Sequence, residues 1–357
     1  MKRITQFVAG NPWSFLLAAL PLTLAAQIFH WPAVAVFVFA ALGIVPLAAV
    51  IGEATEDLAS HTDLRLAALL NATFGNAAEL IITIAAVRAG LIELVKASIT
   101  GSIIGNLLLV LGFSMLSGGL RHGAQSFNKR TASRNAILLV LAVVALIIPS
   151  AWSQAIGPEG NPKVEALSVG VAVIMMALYA LGLIQASNVK ESSISHQLAK
   201  SDLPGWTGSQ AVVILLISTL GVVWLSQTLV EATQAVVASL GVSEFFLGII
   251  LVPIIGNVSE HVVSVRLALK NKMDLSVEVA TSSSLQIALF VAPLLVFLSP
   301  LLGHPLQLSF NRFELMAVLT AVVVSALVSA DGESTWLEGA GLLAVYLILG
   351  LGFLLLP

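Results

Sequence analysis

Hydrophobic runs separated by short groups of charged, glycine and proline residues fill almost the whole chain. Most of these runs reach the length of about 20 residues that an α-helix needs to cross a bilayer. The pattern predicts eleven membrane-spanning helices, numbered here as spans 1 to 11. Their predicted ranges are 13–30, 33–59, 65–89, 93–119, 134–152, 164–186, 209–239, 243–269, 274–299, 312–330 and 335–356.

The amino-acid composition supports this interpretation. The 357 residues are 58% hydrophobic and 10% charged, whereas a soluble domain carries about 25% charged residues. No soluble fold can bury so much apolar surface, so we expect an all-α polytopic protein embedded in a lipid bilayer. The net charge of −3 gives no indication of nucleic-acid binding. The chain has no cysteine, which excludes disulfides and thiolate metal sites.

One pentapeptide pattern occurs twice inside these apolar runs. Residues 75–79 read GNAAE and residues 256–260 read GNVSE, an offset of 181 positions. The same offset continues beyond the motif and indicates an internal duplication. It relates Thr83 to Ser264, Leu94 to Leu275, Thr100 to Thr281, Ser102 to Ser283 and Val110 to Val291.

The duplication predicts how the chain is organised. An N-terminal anchor helix (1–32) precedes a first repeat of spans 2–6 (33–186), a cytoplasmic linker (187–208) and a second repeat of spans 7–11 (209–357). Because each half has an odd number of spans, the two halves must insert in opposite orientations. This arrangement is an inverted-topology repeat.

The distribution of lysine and arginine predicts the orientation. With the N-terminus inside, 12 of the 16 basic residues fall on the cytoplasmic side, as the positive-inside rule requires. We therefore expect a cytoplasmic N-terminus and an external C-terminus. The absence of a targeting extension favours a prokaryotic cytoplasmic membrane. The twelve basic residues are Lys2, Arg3, Arg65, Arg121, Lys129, Arg130, Arg134, Lys190, Lys200, Arg266, Lys270 and Lys272.

Two acidic residues lie where a membrane helix should be apolar. Glu79 falls near the middle of span 3 and Glu260 falls inside span 8, each too deep to reach water. A carboxylate at such a depth is costly and is by default a functional-site hypothesis. Two of them in matching halves indicate a transporter whose site lies at the repeat interface.

Polar residues around both acids have the character of ligands for a hard cation. Amide and hydroxyl side chains accompany each acid at helical spacing, and spans 4 and 9 add a second polar layer. Such oxygen ligands suit Ca²⁺, Mg²⁺ or Mn²⁺ rather than soft metals. Glycines beside the acids permit close packing or local unwinding, and Pro253 predicts a kink in span 8. The candidate residues are Asn76, Asn257, Thr83, Ser264, Ser102, Asn106, Ser283, Gln286, Gly75 and Gly256.

Other polar residues admit a plainer interpretation. Glu53 and Glu231 begin a duplicated Glu-Ala-Thr sequence and are candidate portal acids, although ordinary interfacial carboxylates fit equally well. His261 is a candidate proton carrier, but a structural hydrogen bond is the simpler role. Five further acids near span ends are interpreted as mostly interfacial. They are Glu56, Asp57, Glu244, Asp274 and Glu278.

The paired Gly-Asn-x-x-Glu motifs resemble the α-repeats of the cation/Ca²⁺ exchanger superfamily, and in particular its Ca²⁺/H⁺ antiporter (CAX) family. The likeness rests on residues 75–79 followed by 101–106, and on residues 256–261 followed by 282–290. It extends over nearly the whole chain. Sodium-coupled relatives typically carry a Gly-Thr-Ser-type motif before the acid, so the asparagines here favour the proton-coupled branch.

The resemblance implies one first helix followed by two inverted five-helix repeats. It also implies that Glu79 and Glu260 bind Ca²⁺ and H⁺ alternately. Ca²⁺, or another divalent cation, would be the transported substrate rather than a cofactor, and the protein would be a secondary antiporter rather than an enzyme. A sodium-coupled exchanger on the same scaffold and a passive cation channel are the alternatives. No HExxH motif occurs, which disfavours an intramembrane metallo-enzyme.

Overall fold

The structure, a computed structural model, describes residues 14–62, 64–158, 160–188 and 206–356. These residues form long helices and one pair of very short strands. The helices are α1 (Ser14–Ile28), α2 (Ala33–Ser60), α3 (Leu64–Phe74), α4 (Ala77–Arg88), α5 (Ile92–His122), α6 (Lys129–Ile156), α7 (Pro162–Asn188), α8 (Gly208–Leu240), α9 (Glu244–Leu269), α10 (Met273–Leu302), α11 (Arg312–Val328) and α12 (Trp336–Leu354), and the strands are β1 (Gln125–Ser126) and β2 (Glu333–Ser334).

All eleven predicted spans correspond to helices, with ends shifted by only a few residues. Eight of the helices in the described residues are long and apolar enough to cross a membrane. The exceptions are the short α1, the 17-residue α11 and span 3, which is broken into α3 and α4. The prediction of an all-α polytopic membrane protein is confirmed. Residues 1–13, with Lys2 and Arg3, and linker residues 189–205 lie outside the described residues.

Polar residues at the ends of the hydrophobic runs define where several helices begin. The side chain of Asn128 accepts hydrogen bonds from backbone N–H groups in the first turn of α6. Asn311 and Glu314 form a reciprocal capping box at the start of α11, and Thr335 and Glu338 form another at the start of α12. These bonds satisfy backbone donors that have no partner within the helix.

Span 3 differs from its prediction as one continuous helix. The chain leaves the helix at Gly75 and Asn76, and α4 starts at Ala77. A Cβ atom at Gly75 would lie 2.5 Å from the backbone oxygen of Asn71, so this turn excludes any side chain. Glu79 therefore lies in the first turn of a helix rather than in the middle of one.

The matching segment of the second half stays helical. Gly256 and Asn257 lie inside α9, which runs unbroken through the motif. Pro253, where the sequence predicts a kink, lies two residues after a wide π-helical turn at Leu247–Leu251. Proline lacks a backbone N–H, and a π-turn accommodates the lost hydrogen bond. Further π-turns occupy matching positions of α5 (Gly105–Val110) and α10 (Ile287–Val291).

Four elements form the centre of the bundle: α4, α5, α9 and α10. Helix α2 packs along α8 and also contacts α9, while α8 contacts α4, so each half covers the motif helix of the other. Helices α6 and α11 pack together on another side of this centre. The peripheral α7 and α12 bury the smallest share of their residues.

Loops at one end of the bundle link the two halves. Strand β1 follows α5 and pairs antiparallel with β2, which follows α11. We call this the strand end. His122 at the end of α5 contacts the backbone oxygen of Leu269 at the end of α9, with 2.9 Å between Nε2 and O. Asp57 near the end of α2 accepts a hydrogen bond from the Trp206 backbone N–H, at 2.9 Å.

Candidate functional site

Glu79 is the most enclosed carboxylate of the candidate site, with 0% of its surface exposed. The break at Gly75 and Asn76 places it in the first turn of α4. The partial positive charge at a helix N-terminus stabilises an anion in this position. A break in the middle of span 3 thus supplies favourable electrostatics that a continuous helix would lack.

Two side chains from other helices bind the Glu79 carboxylate. Ser102 of α5 donates a short hydrogen bond from its hydroxyl to Oε1. Asn257 of α9 donates from Nδ2 to Oε2 at 3.3 Å, and also to the Ser102 hydroxyl at 3.2 Å. All three residues are buried. The two donors attach one helix of each half, α5 and α9, to the same carboxylate.

The close crossing of α9 and α4 depends on Gly256. A Cβ atom at this position would lie 3.2 Å from Cβ and 3.3 Å from Cα of Glu79. The glycine therefore lets the second motif lie directly against the acid of the first. A glycine at this position allows α9 to approach α4 closely, and it brings the neighbouring Asn257 within hydrogen-bond distance of Glu79.

A second chain of hydrogen bonds runs beside the first. Asn106 of α5 donates from Nδ2 to the Ser283 hydroxyl of α10 at 2.9 Å. That hydroxyl donates to Oδ1 of Asn76 at 3.4 Å, and Asn76 donates from Nδ2 to Oε1 of Gln286 at 2.6 Å. The turn between α3 and α4 is thereby attached to α10.

Two oxygen atoms in the site are buried without a hydrogen-bond donor among the described residues. They are Oδ1 of Asn257 and Oε2 of Glu260. Leaving a buried acceptor unpaired costs about 1–3 kcal/mol, and more for a charged group. A carboxylate and an amide oxygen are hard ligands of the type that Ca²⁺ or another hard divalent cation takes. The donor set therefore fits such a cation as a transported substrate.

A polar cavity of about 250 Å³ connects Glu260 with the strand end. Its wall includes Glu53 and Glu56 near the end of α2, and Arg266 near the end of α9. Deeper in the bundle, Ser283 and Gln286 of the hydrogen-bonded chain line it together with Glu260. Glu260 thus faces the cavity, whereas Glu79 lies behind it and does not contribute to its lining.

Some predicted site residues do not join this cluster. The Thr83 hydroxyl donates to the backbone oxygen of Glu79 in its own helix, at 2.9 Å. The Ser264 hydroxyl contacts Ser114 and Ser276 in a separate group of hydroxyls. Glu231 is exposed and does not line the cavity. The predicted stripe of Asn76, Glu79 and Thr83 assumed a continuous helix. In the structure α4 begins after Asn76, and the Thr83 hydroxyl bonds backbone oxygens of its own helix.

Two acids near the bundle ends are not simply exposed at the membrane interface. Glu56, interpreted from the sequence as interfacial, lines the cavity with Glu53, one helical turn away. Glu314, which the sequence analysis did not single out, is 1% exposed and accepts a hydrogen bond from the Thr100 hydroxyl at 3.3 Å. The sequence signal for Glu56 was its i, i+3 spacing from Glu53. The signal for Glu314 was the Asn-x-x-Glu pattern of a helix cap.

Comparison with protein families gives one match that spans the two halves of the chain. The family described as sodium/calcium exchanger protein matches residues 32–186 and again residues 210–355. The two matched regions contain the first and the second Gly-Asn-x-x-Glu motif respectively.

Individual relatives match over nearly their full length. The Ca²⁺/H⁺ antiporter of Aphanothece halophytica is 43% identical, with 96% of each chain covered. The Ca²⁺/H⁺ antiporter ChaA of Bacillus subtilis is 41% identical, over 95% of this chain and 97% of that one. The solved structure of native YfkE superposes with a TM-score of 0.85 at 41% identity, over 96% of this chain and 100% of that one.

Proposed function

Since this chain belongs to the sodium/calcium exchanger protein family, we propose that it is a secondary antiporter exchanging Ca²⁺ for H⁺ across the membrane. The observation that carries the proposal is the meeting of the two repeat motifs around paired acids. Glu79 and Glu260 come from opposite halves, and a cavity from one end of the bundle reaches Glu260. The names of the relatives at 41–43% identity support Ca²⁺ and H⁺ as the exchanged ions.

The chemistry of exchange follows from the charge of the site. One divalent cation neutralises two ionised carboxylates, and two protons neutralise the same pair. Moving the pair through the low-dielectric bundle with neither partner would leave uncompensated buried charge, which costs several kcal/mol per ion. The site can therefore change its exposure only when it is loaded with cation or with protons, and this restriction couples the two fluxes.

The distribution of basic residues supports a direction for the exchange. Arg121, Lys129, Lys270 and Lys272 belong to loops and helix termini at the strand end. Under the positive-inside rule that end faces the cytoplasm. The cavity then opens Glu260 to cytoplasmic Ca²⁺, and the proposed cycle expels Ca²⁺ while protons enter.

The proposal is tested by radioactive Ca²⁺ uptake into proteoliposomes with an acidic interior, a clamped membrane potential and no sodium. Uptake should collapse when a protonophore dissipates the pH gradient. Glu79→Gln and Glu260→Gln should each abolish it, because a glutamine cannot alternate between a charged and a proton-loaded state. Glu231→Gln removes an acid outside the cavity and is the matched control, which should retain uptake.

The same preparation separates the alternatives. Uptake that requires trapped sodium would assign the protein to a sodium-coupled exchange, a mode that the family description also includes. Uptake that depends on neither the proton gradient nor the sodium gradient would indicate a passive channel. Full activity in either glutamine variant would refute the assignment of the two acids.

A further inference from the structure

Three basic residues cluster at the start of α6, on the surface of the bundle at the strand end. They are Lys129, Arg130 and Arg134, all within the first two turns of the helix. Among the described residues none of the three forms an ion pair. Two nearby acids are engaged with backbone groups: Asp274, in the first turn of α10, accepts from the Asn128 N–H, and Asp331, in the loop before β2, accepts from the Glu333 N–H at 3.0 Å.

Two grooves flank this part of α6. One, of about 410 Å³, lies between α6 and the end of α11 and is closed by Ala326, Ser329 and Ala330. The other, of about 570 Å³, extends toward α7 at Gln185. Their volumes lie within the range of pockets that hold small ligands. Both grooves share Lys129, Ser133 and Ile137 of α6.

The lining changes from basic to apolar along the helix. At the strand end Lys129 lines both grooves and Arg130 lines the one toward α7. Further into the bundle Ile137 lines both, and Val140 and Leu141 line the one beside α11. These three apolar side chains are exposed by 60%, 43% and 46% respectively. At 1.5 Å per residue, the distance from Arg130 to Leu141 is roughly 16 Å along the axis. The grooves thus extend from headgroup depth into the acyl region.

The geometry points to a binding site for an anionic phospholipid at the start of α6, between α11 and α7. The phosphate would lie against Lys129, Arg130 and Arg134, and an acyl chain would lie along Ile137 and Leu141. Basic pockets between membrane helices commonly bind such headgroups. The lipid fits better than a free anion, because the grooves continue into apolar surface that a free anion would leave uncovered.

The α6 cluster differs in its position from the other basic residues at the strand end. Arg121, Lys270 and Lys272 are exposed at the same end but line neither groove. They carry the same total charge as the α6 cluster. A variant that neutralises these three residues therefore has the same net charge as one that neutralises the α6 cluster, and it serves as the control.

The test is native mass spectrometry of the full chain in detergent, titrated with dioleoyl phosphatidylglycerol or with phosphatidylcholine of the same acyl chains. The wild type should bind phosphatidylglycerol in preference. A triple Lys129→Gln, Arg130→Gln, Arg134→Gln variant should lose affinity by about 100-fold, since each basic residue contributes about fivefold near an anionic surface. The Arg121→Gln, Lys270→Gln, Lys272→Gln control should bind as the wild type does.

A second variant tests the grooves without changing charge. Ser133→Trp places a large side chain in the lining that the two grooves share, and it should weaken phosphatidylglycerol binding while all three basic residues remain. Normal binding by this variant would overturn the site. Equal binding of both lipids by the wild type, or equal loss in the two triple variants, would do the same. Displacement by glycerol 3-phosphate at the concentration of the lipid would identify a free-phosphate site instead.

Discussion

The amide nitrogen of Asn257, in the second repeat motif, donates a hydrogen bond to the Glu79 carboxylate of the first motif at 3.3 Å. The equivalent asparagine of the first motif makes a different contact, because the Asn76 amide donates to Gln286. Duplicated sequences therefore make unequal contacts in one site. Asn257 supports Glu79 through its nitrogen while its own oxygen accepts no hydrogen bond from any described residue.

Replacing Asn257 should impair cation binding. Asn257→Ala removes a donor to Glu79 and the unpaired oxygen together, and a lost buried partner costs about 1–3 kcal/mol. We expect the KM for Ca²⁺ to rise by about 5- to 150-fold in proteoliposome uptake. Thr83→Ala is the control, because that hydroxyl bonds only backbone oxygens of its own helix, and its KM should stay within about twofold. Equal effects of the two substitutions would contradict the assignment.

Glu79 and Glu260 should differ in how fast a carboxyl-specific reagent modifies them. Glu260 lines the cavity and Glu79 does not, so a water-soluble carbodiimide with a small amine should modify Glu260 first. Peptide mass spectrometry measures the extent at each position. Saturating Ca²⁺ should protect Glu260, since a ligated carboxylate is no longer available for attack. Faster modification of Glu79 would show that the cavity is not the access route.

Adding one methyl group at Gly256 should disturb the site. The new Cβ would lie 3.2 Å from Cβ of Glu79, closer than most real Cβ contacts, so the crossing of α9 and α4 must open. Overpacking of this kind costs about 1–3 kcal/mol. Gly256→Ala should therefore lower both transport and the melting temperature in detergent. Gly105→Ala, where a Cβ would meet no atom within 4 Å, should change neither.

Cysteine labelling can test which end of the bundle the cavity opens to, because the natural chain contains no cysteine. An impermeant maleimide should reach Glu53→Cys, on the cavity wall, only from the face that also labels Lys270→Cys at the strand end. Glu231→Cys lies toward the opposite end of α8 and should be labelled from the other face. Labelling of Glu53→Cys from both faces would indicate a continuous pore.

Glu314 should contribute to stability. Its carboxylate accepts from the Thr100 hydroxyl and from the Asn311 backbone N–H, at 3.3 and 2.8 Å, and links the start of α11 to α5. Glu314→Ala should lower the free energy of unfolding by about 1–3 kcal/mol. Thr100→Val removes only one donor and should have the smaller effect in the same thermal unfolding measurement. The reverse order would show that the capping interaction is unimportant.

The helices were predictable from the sequence because their length and apolar character are dictated by the bilayer. The cluster of Asn76, Asn257, Ser102, Ser283 and Gln286 was also predictable. Polar groups inside apolar helices have few partners other than one another, so the duplicated motif identified them as neighbours.

The glycines beside the acids were expected to permit close packing or local unwinding. Which of the two would break its helix could not be predicted, since Gly75 and Gly256 occupy the same place in the Gly-Asn-x-x-Glu motif and only Gly256 stays helical. The residues before the two glycines differ, with Asn71 and Thr73 in the first half and Val252 and Ile254 in the second. Thr83 and Ser264 lie outside the hydrogen-bonded cluster, because a hydroxyl in an apolar helix readily bonds the backbone of its own turn or another hydroxyl nearby. Glu314 escaped notice because carboxylates at helix ends are commonly exposed to water.

The broken α3–α4 segment and the unbroken α9 have one further consequence. The two segments share the Gly-Asn-x-x-Glu motif yet adopt two backbone shapes within the same molecule, so the motif alone does not determine whether the helix breaks. In an inverted repeat, an exchange of these shapes between the halves would break α9 at Gly256, join α3 to α4 and move the opening of the cavity toward the opposite end of the bundle. The duplication therefore places both backbone shapes that such an exchange requires in the same molecule.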